Sequence, residues 1–262
     1  ARPNGMILVT GPTGSGKTTA IYAFLKKIRT SAQKIITIED PIEYHLEGIE
    51  QTQVDARSGY TFASGLRSIL RQDPDIIMVG EIRDLETAQT AIHAALTGHL
   101  VFSTLHTNNA AGAIPRLIDL GVKTSVIGPA LAVVLAERLV RRLCPACRGE
   151  AAIDKALEEK LQKFLQRLPK RVSPRKIRPK LFEAVGCDKC SEGYRGQIGL
   201  FEVLEMGEEL DALIKKEAAE GEINKAARRA GMVLMQEDGV LKALDGVTTL
   251  EEVERATGPI EW

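Results

Sequence analysis

The sequence has no excess of charge: 35 Lys and Arg are balanced by 35 Asp and Glu. A general nucleic-acid binder usually carries a basic surplus, so no nucleic-acid partner is expected beyond what a local basic patch would attract. Aromatic residues make up only 4% of the chain. In the most basic stretch Phe164 stands alone, which leaves no stacking platform for single-stranded bases. No apolar run reaches the roughly 18 residues of a membrane-spanning helix. The best candidate, residues 126–136, contains Gly128 and Pro129 and reads as a buried helix. The N-terminus has no signal-peptide pattern. It also has no initiating Met and enters a strand almost at once, as expected of a fragment with an upstream domain missing. Repeats of about 20 to 50 residues are lacking. With four cysteines and no export signal, the reducing cytosol is the expected compartment, and metal is favoured over disulfides.

What remains is an ordinary globular composition, 44% hydrophobic and 27% charged, over 262 residues. That length suffices for one substantial core and a smaller appendage. Short apolar runs at residues 6–10, 35–38, 75–79 and 100–103 read as buried strands. Helical spacing at 17–29, 62–72 and 85–96 falls between them. Such alternation implies an α/β fold with a largely parallel sheet, helices on both faces, and ligands at the carboxyl ends of the strands. Composition shifts after Cys144. Residues 155–168 read as a charged helix, and 160–180 hold nine Lys or Arg and no acid. A strand is expected at 198–204, and from 208 the pattern is helical with breaks at Gly221, Gly231, Gly239 and Gly246.

Gly11-Pro12-Thr13-Gly14-Ser15-Gly16-Lys17-Thr18, followed by Thr19, matches G-x-x-x-x-G-K-[ST] with a strand before it and a helix after it. Eight positions and both flanks argue against a chance Gly-rich turn. Its backbone N–H groups and the helix N-terminus suit phosphates. Lys17 is expected at the β- and γ-phosphates, and the Thr18 hydroxyl on Mg²⁺. Beyond the second strand, Glu39, Asp40 and Glu43 offer carboxylates that could position an attacking water. After the third, Gly80 stands where a Walker B motif usually has Asp, so Glu81 is expected to hold Mg²⁺ through water, and Arg83 follows. His99 and His106 flank the fourth strand; each alone reads equally as structural or catalytic. Arg67 and Arg71 lie one helical turn apart. They read either as arginine fingers toward a neighbouring subunit or as a solvated face with local ion pairs.

Cys144-Pro145-Ala146-Cys147 and Cys187-Asp188-Lys189-Cys190 are two C-x-x-C knuckles, able to give four thiolates to a structural Zn²⁺ with the segment between them looped out as an arm. Unmetallated buried thiols and two close disulfide-like pairs are the alternatives. The basic run reads as a solvated arm or as a dock for acidic lipid headgroups or an acidic protein.

Together these segments resemble the secretion ATPase superfamily, and within it the type II secretion and type IV pilus assembly ATPases. The resemblance extends from Arg2-Pro3-Asn4-Gly5 to Thr248-Thr249-Leu250-Glu251-Glu252-Val253. Glu39-Asp40-Pro41-Ile42-Glu43 is similar to the family's aspartate box. Gly80-Glu81-Ile82-Arg83-Asp84 is similar to its Walker B element, and residues 98–107 to its histidine box. The resemblance implies a catalytic Glu43, a Mg²⁺-linked Glu81, and His99 and His106 as γ-phosphate sensors or inter-subunit contacts. Glu39 and Asp40 are weaker candidates for the base. It further implies a homohexamer that pushes pilin-like subunits through a membrane platform from the cytoplasmic side of the inner membrane, attached peripherally through its partners. The tetracysteine module sides with assembly motors rather than retraction motors. The expected organisation is a RecA-like P-loop core at 1–143, a tetracysteine module with the basic arm at 144–199, and a small helical subdomain at 200–262. A DNA-translocating P-loop motor and a non-catalytic nucleotide-responsive scaffold are the competing readings. Neutral charge opposes the first, and intact Lys17, Glu43 and Glu81 oppose the second.

Overall fold

The computed structural model describes residues 4–169, 172 and 179–262. Arg2 and Pro3, and residues 170, 171 and 173–178 of the basic run, lie outside the described residues. The chain divides into two compact units, Ala1–Ala136 with Val203–Ala227, and Glu137–Glu202 with Arg228–Trp262.

The first unit alternates strand and helix. In chain order these are β1 (Gly5–Thr10), α1 (Lys17–Ile28), β2 (Ile35–Glu39), β3 (Glu50–Gln53), α2 (Phe62–Ile69), β4 (Ile76–Val79), α3 (Leu85–Leu96), β5 (Leu100–Leu105), α4 (Ala113–Asp119) and α5 (Thr124–Ala130). There follow β6 (Leu131–Leu143), β7 (Gly149–Ala151), α6 (Lys155–Arg167), β8 (Leu181–Glu183) and β9 (Tyr194–Glu205), then α7 (Glu208–Lys215), α8 (Glu220–Arg229), α9 (Met235–Leu244) and α10 (Leu250–Thr257). Seven strands form one sheet in the order β3-β2-β4-β5-β1-β6-β9. β1 pairs in parallel with β5 and β6, and β2 in parallel with β3 and β4. Every residue of β2 and β4 is buried, as expected of strands covered on both faces. Because these strands run the same way, the segments after β1, β2, β4 and β5 all emerge along one edge of the sheet, where parallel sheets bind ligands.

Helix starts are fixed by local side chains. Thr61 caps α2 through a capping box with Ser64, and Asp84 caps α3 by accepting from the Thr87 N–H. Asp84 of the Gly80–Asp84 motif therefore serves as a cap. The second unit has its own apolar cluster, in which Leu161 and Phe164 of α6 pack with Leu181, Val240, Val253 and Ile260.

Two expectations need correction. Residues 126–136 are not one buried helix: α5 ends at Ala130, just after Pro129, and β6 begins at Leu131. Proline ends the helical ladder, and the β-branched Val133 and Val134 then favour a strand. Gly221 and Gly239 do not break helices but lie inside α8 and α9. At Gly239 the side chain of Val253 comes within 2.7 Å of where a Cβ would sit, so this glycine permits close packing. α7 and α8 belong almost wholly with the P-loop unit, where they bury Leu210, Ile214, Ile223 and Ala226. α9 and α10 share a unit with the four cysteines.

Candidate active site

The P-loop follows β1 and ends at α1, whose N-cap Gly16 has φ 98°, a left-handed conformation that glycine adopts without strain. No side chain caps this helix, so its first N–H groups stay directed at the loop. Lys17 is nearly buried, and its Nζ donates to the carbonyls of Gly11 at 3.0 Å and Pro12 at 2.9 Å. Ser15 is 4% exposed, and its Oγ has no hydrogen-bond partner among the described residues. A buried hydroxyl of that kind suits a ligand oxygen. The Thr10 and Thr107 hydroxyls, 2.5 Å apart, tie the entry of the P-loop to the segment after β5.

β2 ends in Glu39, 2% exposed. Its carboxylate accepts from the Tyr22 hydroxyl, from Thr37 Oγ1 at 2.5 Å and from Gln51 Nε2 at 3.1 Å. Burial, and then the hydrogen bond to Glu39, push the Tyr22 phenol well above its usual value, so it remains a donor. Asp40 and Glu43, in contrast, are exposed in the loop beyond.

After β4, Gly80 passes close to β2: a Cβ there would lie 3.2 Å from the Ile38 carbonyl oxygen and 3.3 Å from the Glu39 Cα. A side chain at this position would crowd the β2 backbone, which would have to give by a few tenths of an ångström. Glu81 pairs with Arg83 through Oε1 and lies 3.5 Å from His106 Nε2 through Oε2. The Glu81 hydrogen bond raises the Arg83 guanidinium still further above its usual value, keeping it charged.

One cavity of about 270 Å³ gathers these groups. It is lined by Thr13, Gly14, Lys17 and Thr18 of the P-loop and α1, by Glu39, Asp40 and Glu43 at and beyond the end of β2, by Gly80, Glu81 and Arg83 after β4, by Thr104 and His106 at and beyond the end of β5, and by Phe62 and Met78. Four carboxylates face two side-chain cations there. A polyphosphate entering this cavity needs added positive charge, and the hydroxyl and carboxylate donors of Thr18 and Glu81 are the hard oxygen ligands that Mg²⁺ takes.

The cavity does not include every expected residue. His99 precedes β5 and His106 follows it, which separates them by about 20 Å along the strand. The His99 Nδ1 instead lies 3.0 Å from the Ala94 carbonyl. Arg67 pairs with Glu86 at the start of α3, and Arg71 donates to Ser68 Oγ at 3.3 Å. Arg83, Tyr22 and Gln51 were not singled out as site residues from the sequence. Arg83 was detectable from its place in the Walker B segment. Gln51 carries no local signal, because its position arises from the pairing of β3 with β2.

The second candidate site is the cysteine cluster. The four Sγ atoms of Cys144, Cys147, Cys187 and Cys190 lie within 4.8 Å of one another. Three of the separations are 3.9 Å (Cys144 to Cys187), 3.7 Å (Cys147 to Cys190) and 3.7 Å (Cys187 to Cys190). A tetrahedron with ~2.3 Å metal–sulfur bonds has edges of about 3.8 Å, so the cluster fits Zn²⁺ and is too open for disulfides. The knuckles are shaped by the Cys147 N–H donating to the Cys144 carbonyl and the Cys190 N–H to the Cys187 carbonyl, both at 3.3 Å. Burial pushes the Cys147 thiol up to about 12, a cost that a cation bound among the sulfurs would offset.

Residues 1–255 match the family described as Type II/IV secretion system protein. This chain belongs to that family. Type II secretion system protein E of Pseudomonas aeruginosa is 51% identical over 257 residues, which cover 98% of this chain and 49% of that protein. The type IV pilus assembly ATPase PilB of the same organism is 44% identical over 263 residues, covering 98% of this chain and 44% of PilB. The chain thus spans about half the length of the curated relatives it matches. Among solved structures, the pilus retraction motor PilT with bound ADP superposes with a TM-score of 0.68 at 30% identity, over 98% of this chain and 62% of that one. The fold is that of the secretion and pilus ATPases, with a cysteine cluster able to bind zinc. No helix among the described residues is long and apolar enough to cross a membrane.

Proposed function

We propose that this chain is the catalytic portion of a Mg²⁺-dependent ATPase that works as a homohexamer and powers assembly of pilin-like subunits, in type II secretion or type IV pilus extension. The observation that carries this reading is the single cavity shared by Lys17, Thr18, Glu43, Glu81 and His106. In it, the P-loop N–H groups and Lys17 would cradle the β- and γ-phosphates of ATP. Glu43, exposed and free of the bonds that occupy Glu39, would take the proton of the water that attacks the γ-phosphate as the bond to ADP breaks. His106, beside Glu81, would lie where the γ-phosphate is sensed. Thr18 and Glu81 would hold Mg²⁺, which supplies positive charge to the phosphate oxygens. Zn²⁺ would close the four-cysteine cluster as a structural metal without a role in the chemistry.

The bound ADP of PilT supports a nucleotide at this fold's site, and the names of the relatives support the machinery. The tetracysteine cluster favours assembly over retraction. Arg67 and Arg71, which do not line the cavity of their own chain, would act in trans or at subunit contacts, and His99 likewise. The partner is an inner-membrane platform or anchor protein of the machine. Through it the motor is held peripherally at the cytoplasmic face, with no nucleic acid involved. The test is phosphate release from ATP by concentrated protein with Mg²⁺ and with excess chelator. Turnover that requires Mg²⁺ and falls steeply in Glu43→Gln supports the reading; equal turnover in chelator contradicts it.

A further inference from the structure

The loop at residues 40–49, which carries Glu43, leaves β2 and returns to β3 beside it. Its backbone is tied at four positions. The Ile42 N–H donates to Gln53 Oε1 at 3.2 Å, and the Glu47 carbonyl accepts from the Arg29 guanidinium. The Tyr44 carbonyl accepts from Gln51 Nε2 at 3.3 Å, and the Leu46 N–H donates to Gln51 Oε1 at 2.6 Å. Because Leu46 fixes the Gln51 amide oxygen, the Gln51 NH₂ must face inward, toward Glu39 and the Tyr22 oxygen, which it meets at 3.3 Å. Tyr22 and Glu39 are 0% and 2% exposed. The Tyr22 ring also packs edge-on against Tyr44, with centroids 4.8 Å apart.

Tyr22 sits on α1, five residues after Lys17, on the same helix that the P-loop caps. Glu39 already accepts from three donors of its own unit, two on Oε1 and one on Oε2, so only about one of its four acceptor sites stays open. Its burial in a closed network of this kind suits support rather than proton transfer.

We propose that Tyr22, Glu39 and Gln51 are positioning residues: a buried strut that links the phosphate-binding helix to the loop bearing Glu43 and fixes where that carboxylate stands. This rests on the reading of Glu43 as the group that activates water. Misplacement of a reacting group by about 1 Å can cost on the order of 100-fold in rate. Tyr22→Phe removes the hydroxyl and keeps the ring.

The experiment measures steady-state turnover at high protein concentration, and affinity for a fluorescent ATP analogue, in wild type, Tyr22→Phe, Glu43→Gln and the double variant. The expected result for Tyr22→Phe is a kcat lowered about 10-fold or more with analogue affinity within about twofold of wild type. In the Glu43→Gln background the same change should alter the residual rate less than about twofold, because the strut then has no carboxylate to position. Gln51→Leu carries the same comparison should Tyr22→Phe melt early. Normal kcat in both strut variants, with Glu43→Gln inactive, overturns the strut alone. An undiminished multiplicative loss in the double variant also overturns it. A fully active Glu43→Gln overturns the assignment of Glu43, and the strut with it.

Discussion

Glu81 stands between a permanent cation and a titratable one: Oε1 pairs with Arg83, and Oε2 lies 3.5 Å from His106 Nε2. The pairing links the segment after β4 to the segment after β5. Replacing the carboxylate with an amide keeps its shape and removes the charge that pairs with Arg83 and would serve Mg²⁺ in the proposed reading. Glu81→Gln should lower phosphate release by about 100-fold or more while retaining nucleotide binding. His106→Ala should cost less, about 10-fold. Phosphate-release kinetics beside analogue titration decide; equal activity in Glu81→Gln would remove Glu81 from the chemistry.

The sulfur separations of 3.7 to 3.9 Å predict about one zinc per chain by elemental analysis. Chelation or Cys187→Ser should lower the melting transition of the unit that contains the cysteines and leave the P-loop unit's transition in place. Metal-free protein with an unchanged melting profile would refute a structural metal.

In the same unit Glu252 is buried. Burial alone would raise its carboxyl, but hydrogen bonds from Arg255 and Arg141 outweigh this and hold it down to about 2, from a usual 4.5. A depressed carboxyl contributes stability that is present above the unfolded value and lost as pH falls. Acid destabilisation should therefore develop from about pH 4.5 toward 2. Both arginines are more than a third exposed, so the contribution is roughly 1–2 kcal/mol after solvent screening. Glu252→Gln should flatten this part of the acid-unfolding curve, followed by circular dichroism; an unchanged curve would contradict the pairing.

Arg67 and Arg71 do not reach the cavity of their own chain. If they complete a neighbour's site, turnover per chain should rise with protein concentration, since a finger arginine is worth about 10³- to 10⁵-fold. Dilute protein should be mostly monomeric by light scattering. Fast turnover independent of concentration in a proven monomer would mean that no group acts in trans.

Much of the site was legible because its chemistry is written in short contiguous segments. The P-loop, Glu39–Glu43, Gly80–Arg83 and the two C-x-x-C knuckles each declare themselves within a few residues, and the parallel sheet brings the first three to one edge. The buried strands of β1, β2, β4 and β5 were equally legible, since apolar runs between helices allow little else. What was hidden depends on pairing at a distance. β6 carries Glu137, Arg138, Arg141 and Arg142 within 13 residues and resembles no buried strand. The helical Gly239 looks like a break until Val253 is packed against it. Gln51 becomes meaningful only when β3 lies beside β2.

Lys17 is the most direct probe of whether ATP is bound and hydrolysed in the cavity at the carboxyl edge of this sheet. Lys17→Ala removes the P-loop's side-chain cation from a site that must hold three phosphates. Titration with a fluorescent ATP analogue, with phosphate release measured on the same preparations, gives the answer. Lost binding and lost turnover with an unchanged fold by circular dichroism are expected; wild-type affinity and turnover in Lys17→Ala would rule out this cavity as the ATP site.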